Sequence, residues 1–311
     1  MSDGTLGLFG RVDEFPNADA ARRLAALVGL DDLVDELVTD ATALLDPSTL
    51  NEWSVRVHGK VIPAVQTVTE RTPLFVFAGD VGVGKTELAE VLGQAIATRA
   101  KVEVTLYPLS LTARGRGAVG EMTTLLTRAF DRVRSDLSGA RGTRGRAQSL
   151  AILLVDEADA LAQSREMAQM HHEDRAGVNA LIRGIDDLRA ENLPVLTILC
   201  TNRLGALDPA VRRRAAAVHE FLRPNDVQRR RLLGRLLGGT ALSDGDIIKL
   251  TELSGPSAQR TYGYTFSDLR QRFVPRLVLV ARRRDVAIDG ALAIEVLEGV
   301  EPTRPFDSSV E

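Results

Sequence analysis

The stretch Gly79-Asp80-Val81-Gly82-Val83-Gly84-Lys85-Thr86 comes directly after the apolar run Leu74-Phe75-Val76-Phe77-Ala78 and opens a segment of helical periodicity. It fits the spacing G-x-x-x-x-G-K-[ST] between a strand and a helix, the setting in which that spacing carries meaning. The glycines let successive backbone N–H groups turn into one concavity at a helix N-terminus, where an anion is held. Lys85 supplies a point charge for the β- and γ-phosphates of ATP, and the Thr86 hydroxyl is suited to ligate Mg²⁺. Asp80 is the odd residue in this loop, because a carboxylate beside phosphates costs affinity unless it points outward.

Beyond the loop, apolar runs alternate with stretches of helical period. Residues 74–78, 102–109, 150–155, 195–200 and 218–222 read as five strands. Helices are expected at 85–100, at about 120–135, in a stretch ending near Ala190, and as a short turn at Asp208. Near-continuous apolar strands between helices predict a parallel sheet covered on both faces. After Arg223-Pro224 the strands stop, and three or four amphipathic helices run to about Val300. Before the loop, residues 1–16 read as a poorly ordered tail and 18–45 as one helical stretch that Asp46-Pro47 ends. The expected division is therefore a short tail and helical appendage (1–50), a large α/β domain (51–223) and a small helical domain with a tail (224–311).

A phosphate loop binds; hydrolysis needs more. Asp156 ends the apolar strand Leu150–Val155, where it can hold Mg²⁺ through water, and Glu157 beside it can polarise an attacking water as general base. Acidic pairs at the start of a helix are common, but this one ends the next-but-one strand after a phosphate loop. At the end of the following strand, Asn202 can orient water against the γ-phosphate. Arg212, Arg213 and Arg214 then stand at a strand–helix edge beyond the site. They are a solvated basic face or, in a ring, fingers that reach a neighbour's nucleotide.

Composition narrows the classes further. With 44% apolar residues in 311, the chain can bury one large core and a smaller one. No apolar run approaches the roughly 20 residues of a membrane helix, and the acidic N-terminus does not read as a signal peptide. The single cysteine, Cys200, excludes a disulfide framework. The expectation is a soluble, cytoplasmic protein. A net charge of −3 gives no global attraction to nucleic acid. The arginines between Arg128 and Arg146 form a local basic stretch, but only Phe130 could stack a base there, and Asp131 and Asp136 dilute the charge. His171 and His172 are expected in a loop without further metal ligands, and Cys200 is expected as a small buried residue.

Together the phosphate loop at 79–86, LLVDEAD at 153–159, CTN at 200–202, LDPAVRRRA at 207–215 and GYTFSDL at 263–269 resemble the AAA+ ATPases. The resemblance spans roughly residues 55–300. It implies a P-loop NTPase fold of the α/β class: a doubly wound, parallel five-stranded sheet with a C-terminal helical lid and ATP bound with Mg²⁺. It also implies a homo-oligomer, usually a hexamer, with Arg213 and Arg214 as fingers supplied in trans. Within the family, VNALIRGIDDL at 178–188 is similar to the pachytene-checkpoint-type ATPases, which remodel HORMA-domain proteins. Bacterial relatives of that branch accompany HORMA proteins and nucleotidyltransferases in anti-phage operons.

Three departures stand out. Ser267 occupies the position of the family's second sensor arginine, so that role is missing or passes to Arg270. Residues 255–262 look like an insertion. The pore loop, which usually carries an aromatic residue, reads Ala118-Val119-Gly120-Glu121, which implies limited remodelling or a grip made by neighbours such as Arg114 and Arg116. The expected activity is ATP-driven remodelling of a protein client, with a nucleic-acid-associated switch or loader as the alternative. The appendage argues against that alternative, because Asp31, Asp32, Asp35, Glu36 and Asp40 make it acidic. The Asp156-Glu157 pair argues against a non-hydrolysing ATP clip.

Overall fold

The computed structural model describes residues 8–111, 121–139, 147–161, 171–258 and 260–306, without the side chains of 171–175. The described chain divides into two compact units. One comprises Met1–Ala78 and Thr86–Glu220; the other comprises Gly79–Lys85 and Phe221–Glu311.

The first unit is built on a sheet. Strand β1 (Asp13–Phe15) precedes helices α1 (Ala18–Ala26), α2 (Asp31–Leu45), α3 (Pro47–His58) and α4 (Pro63–Thr69). Then come β2 (Leu74–Gly79), α5 (Lys85–Ala100), β3 (Glu103–Ser110), α6 (Glu121–Asp136), β4 (Ser149–Asp156), α7 (His171–Ala190), β5 (Val195–Thr201), α8 (Pro209–Arg214) and β6 (Ala217–Phe221). The strand order is β1-β3-β4-β5-β2-β6. The pairs β3·β4, β4·β5 and β2·β5 are parallel. Leu74, Phe75, Val76 and Phe77 are wholly buried, as are Leu196, Ile198 and Leu199. Such strands can be unbroken apolar runs because both faces are covered.

Three expectations change. The sheet has six strands, not five, and the sixth comes from the supposed tail: β1 pairs antiparallel with β3, Phe15 opposite Val104. Phe9 and Phe15 are buried, and Phe15 fits where α5 carries Gly93, at which even a Cβ would collide with its ring. The helical stretch 18–45 is two helices, because Gly29 takes φ +70° between them, a conformation that ends a helix without a Cβ penalty. His171 and His172, expected in a loop, stand in the first turn of α7.

Register positions the chemistry. Ser110, the last residue of β3, pairs opposite Asp156, the last of β4. The C-terminal edge of parallel strands is where α/β sheets place their ligands.

The second unit holds the phosphate loop together with helices α9 (Asp226–Leu236), α10 (Asp244–Leu253), α11 (Val274–Arg284) and α12 (Gly290–Glu298). Capping boxes start α9 (Asn225/Gln228) and α10 (Ser243/Asp246). Its core closes around Tyr264, whose hydroxyl donates to Leu297 O (3.0 Å) and Val300 O (2.5 Å). Arg229, 3% exposed, caps the carbonyls of Pro224 and Thr251. In the stretch read as an insertion, Ser257 bridges Arg260, and Arg260 Nη2 donates to Gly255 O at 2.7 Å.

Candidate active site

In the second unit the loop residues adopt the conformations their glycines allow. Gly79, Gly82 and Gly84 take φ +144°, +80° and +99°, so a side chain would strain each. Gly82 is constrained twice, because a Cβ there would lie 2.8 Å from both Thr265 Oγ1 and Ser267 Cβ. At Gly84 a Cβ would meet nothing within 4 Å, so that side of the loop is open. Val83 is buried and Val81 half exposed. Lys85, 6% exposed, donates from Nζ to Gly79 O (2.8 Å) and Asp80 O (2.7 Å). Its charge thus sits against the loop backbone that an anion would approach. Ser267, in the second-sensor position, meets the loop through its backbone: its N–H donates to Gly82 O at 3.1 Å. Arg270 is exposed.

Asp80 does point out of the loop. Its Oδ2 accepts from Arg223 Nε at 2.7 Å and its Oδ1 from Phe306 N–H at 3.1 Å. The repulsion expected between this carboxylate and phosphate is thereby offset.

In the first unit Thr86, next in the chain after Lys85, donates from Oγ1 to Asp156 Oδ1 at 3.3 Å. The same carboxylate oxygen accepts from Glu157 N–H at 2.9 Å. Glu157 takes φ +55°, a left-handed backbone that costs a non-glycine residue about 1 kcal/mol. Ser110 Oγ donates to Glu157 Oε2 in a long bond of 3.4 Å. Buried Asp159 accepts from Thr201 Oγ1 and from Asn202 N–H, each at 3.4 Å, linking the acidic turn to the end of β5. Ser110 and Asp159 escaped the sequence reading. Register puts one beside Asp156, and a turn of 3-10 helix at Ala158–Leu161 aims the other at β5.

The hydroxyl of Thr86 and the carboxylate of Asp156 form a hard-oxygen pair suited to Mg²⁺, which takes few protein ligands and keeps the rest of its shell for water and phosphate. In the second unit Lys85 and the open loop fit phosphate; in the first, the Thr86–Asp156 pair fits Mg²⁺.

Arg213 and Arg214 lie at the end of α8. Arg214 Nε stands 3.4 Å from Asp186 Oδ2, while Arg213 is exposed and makes no side-chain ion pair among the described residues. Glu121 is exposed at the start of α6; Ala118, Val119 and Gly120 lie outside the described residues, as do Arg114, Arg116, Arg141, Arg144 and Arg146. Within the basic stretch, Arg132 is tied to Asp136 and Arg134 to Asp131 and Glu191. No metal-holding His/Cys/Asp/Glu group occurs among the described residues, and none of their helices is long and apolar enough to cross a membrane.

A loop of this geometry, with a paired threonine and strand-end aspartate and then a glutamate, defines a phosphate-loop ATPase. The chain belongs to the ATPase family associated with various cellular activities, which residues 75–223 match. Over 299 residues it is 48% identical to CD-NTase-associated protein 6 of Escherichia coli strain MS 115-1, with 96% of each chain covered. The solved E. coli MS115-1 HORMA:CdnC:Trip13 complex contains a chain that is 47% identical, with a TM-score of 0.88 over 96% of this chain and 97% of that one. Rhizobiales Trip13 is 41% identical, with a TM-score of 0.73 over 96% and 100%.

Proposed function

We propose that this protein hydrolyses ATP to remodel a HORMA-domain protein that acts beside a nucleotidyltransferase in an anti-phage system. The observation that carries this reading is the TM-score of 0.88, along almost the whole chain, to a protein solved in complex with HORMA and CdnC.

In this reading Lys85 and the loop residues Gly79 to Gly84 hold the triphosphate. Thr86 and Asp156 would hold Mg²⁺, which would neutralise charge on the phosphates. Glu157 takes the proton of the attacking water, and its backbone N–H bond to Asp156 keeps the base beside the metal ligand. Ser110 orients the Glu157 carboxylate, and Asp159 fixes the backbone of Asn202, whose amide orients the water. Arg213 and Arg214 complete a neighbouring subunit's site in a cytoplasmic homo-oligomer, expected to be a hexamer. The client is engaged through Ala118, Val119, Gly120 and Glu121. The functional division is an appendage (1–50), the ATPase domain (51–223) and a lid (224–311).

The test is retention of the client by a Glu157→Gln variant. A HORMA protein encoded beside this chain should co-purify with the variant in ATP and be released in ADP. Equal recovery in both nucleotides, or ATP turnover stimulated by DNA and by no protein, overturns the reading.

A further inference from the structure

Asp80 is unexpected in a phosphate loop, and the contacts around it give it a task. Its carboxylate is held from two directions, by Arg223 Nε (2.7 Å) and by the backbone N–H of Phe306 (3.1 Å). Arg223 is itself nearly enclosed, with 13% of its side chain exposed. Its Nη1 donates to Gly263 O (2.7 Å) and Thr303 O (2.8 Å), its guanidinium lies 5.0 Å from the Tyr262 ring centroid, and its buried Nη2 has no hydrogen-bond partner among the described residues. Asp80 is the carboxylate that neutralises it.

The chain's last described segment is pinned at several points. Thr303 donates from N–H (3.0 Å) and Oγ1 (2.7 Å) to the wholly buried Asp268, and Val300 O accepts from Tyr264. Thr303 also accepts from Arg223, and Phe306 donates to Asp80. Residues 300–306 therefore form a strap that runs from the helical core to the phosphate loop within one compact unit.

We infer that Arg223 and this C-terminal strap are positioning elements for nucleotide binding: they hold the Asp80 carboxylate out of the phosphate loop and fix the loop's shape through it. A charge-assisted hydrogen bond is stronger than a neutral one, and a buried charge that loses its partner is costly. With Arg223 removed, Asp80 is an unpaired carboxylate in a loop that has to accept a triphosphate. With the strap cut, the Phe306 donor is lost and, of the two groups that hold the Asp80 carboxylate, only Arg223 remains.

The inference rests on the loop being the ATP site, and the experiment separates the two. ATP affinity is measured by titration of the full chain, of Arg223→Met, of a chain ending at Arg304, of full-length Asp80→Asn, and of Arg223→Met and the shortened chain each combined with Asp80→Asn. Arg223→Met should weaken ATP about tenfold or more, with turnover at saturating ATP reduced far less. Adding Asp80→Asn should recover most of that loss, because the repelling charge is gone. The shortened chain should bind several-fold more weakly, and Asp80→Asn should abolish the difference between the shortened and full-length chains. A merely structural role for Arg223 would not be rescued by changing Asp80. Unchanged affinity in both Arg223→Met and the shortened chain, or no rescue by Asp80→Asn, overturns the inference. If Arg223→Met does not fold, the two shortened chains still decide it. Were the loop not the ATP site, the unaltered chain itself would bind no ATP.

Discussion

Thr86 Oγ1 lies 3.3 Å from Asp156 Oδ1, across a separation of 70 residues. The contact links the start of α5 to the end of β4 and sets the pair proposed to hold Mg²⁺ one residue from Glu157. In the proposed reading, binding and chemistry fall to adjacent but different side chains.

Substitutions should separate those duties. Lys85→Ala is expected to abolish ATP binding, since its ammonium is the loop's point charge for phosphate. Glu157→Gln keeps the shape and the backbone bond to Asp156 while removing the base, so it should bind ATP normally and turn over at least about 10²-fold more slowly. Equilibrium binding and steady-state phosphate release measure the two effects. Turnover by the Gln variant near the original rate would remove Glu157 as the base.

The two finger candidates should differ. Arg214 is held beside Asp186 within its own chain, whereas Arg213 is exposed. Arg213→Ala is expected to lower turnover by about 10³-fold, the typical worth of a finger, and Arg214→Ala by much less. Mixing Arg213→Ala with Lys85→Ala protein should partly restore hydrolysis, because some interfaces would pair an intact loop with an intact finger. An absence of recovery in mixed oligomers would leave Arg213 as surface charge.

Stability should report on His219. Its ring lies edge-on to Phe75 and Phe77, with centroids 6.3 and 6.2 Å away, and its buried Nε2 has no hydrogen-bond partner among the described residues. Burial pushes its pKa below 6.5, against the pull of Glu36 and Asp40. Below pH 6.5 the unfolded chain therefore binds a proton that the folded chain resists. The neutral ring's contribution is complete above pH 6.5 and is lost as pH falls through the lowered folded value. Relative to the original chain, His219→Leu should flatten that acid-side loss. At pH 7.5 it should gain about 1 kcal/mol by removing an unsatisfied buried nitrogen. Thermal melts from pH 5 to 7.5 check both effects, and a parallel slope in the variant would assign the titration elsewhere.

Much of this site is legible in the order of residues. The three loop glycines, Lys85 and Thr86 announce themselves because their requirements are local: positive φ, a helix start and a charge at fixed spacing. The core strands are legible for a related reason, since burial on both faces demands an unbroken apolar run. Asp13–Phe15 is not legible, because a three-residue edge strand has no period to read and exists only through its pairing with β3. Ser110 and Asp159 look like ordinary polar residues until register and a 3-10 turn bring them to Glu157 and Asn202.

The sequence by itself determined the class of chemistry, because a phosphate loop and a strand-end acidic pair are set by short-range backbone geometry and side-chain type. Only the tertiary structure decided how that chemistry is held in place. Asp80 reads as a defect in the loop until Arg223, 143 residues away, supplies the opposite charge, and nothing in the order of residues puts the Ser267 backbone on Gly82. The reason is physical. A backbone conformation is a property of a few consecutive residues, whereas the partner of a charge depends on which distant segments the burial of apolar surface brings together.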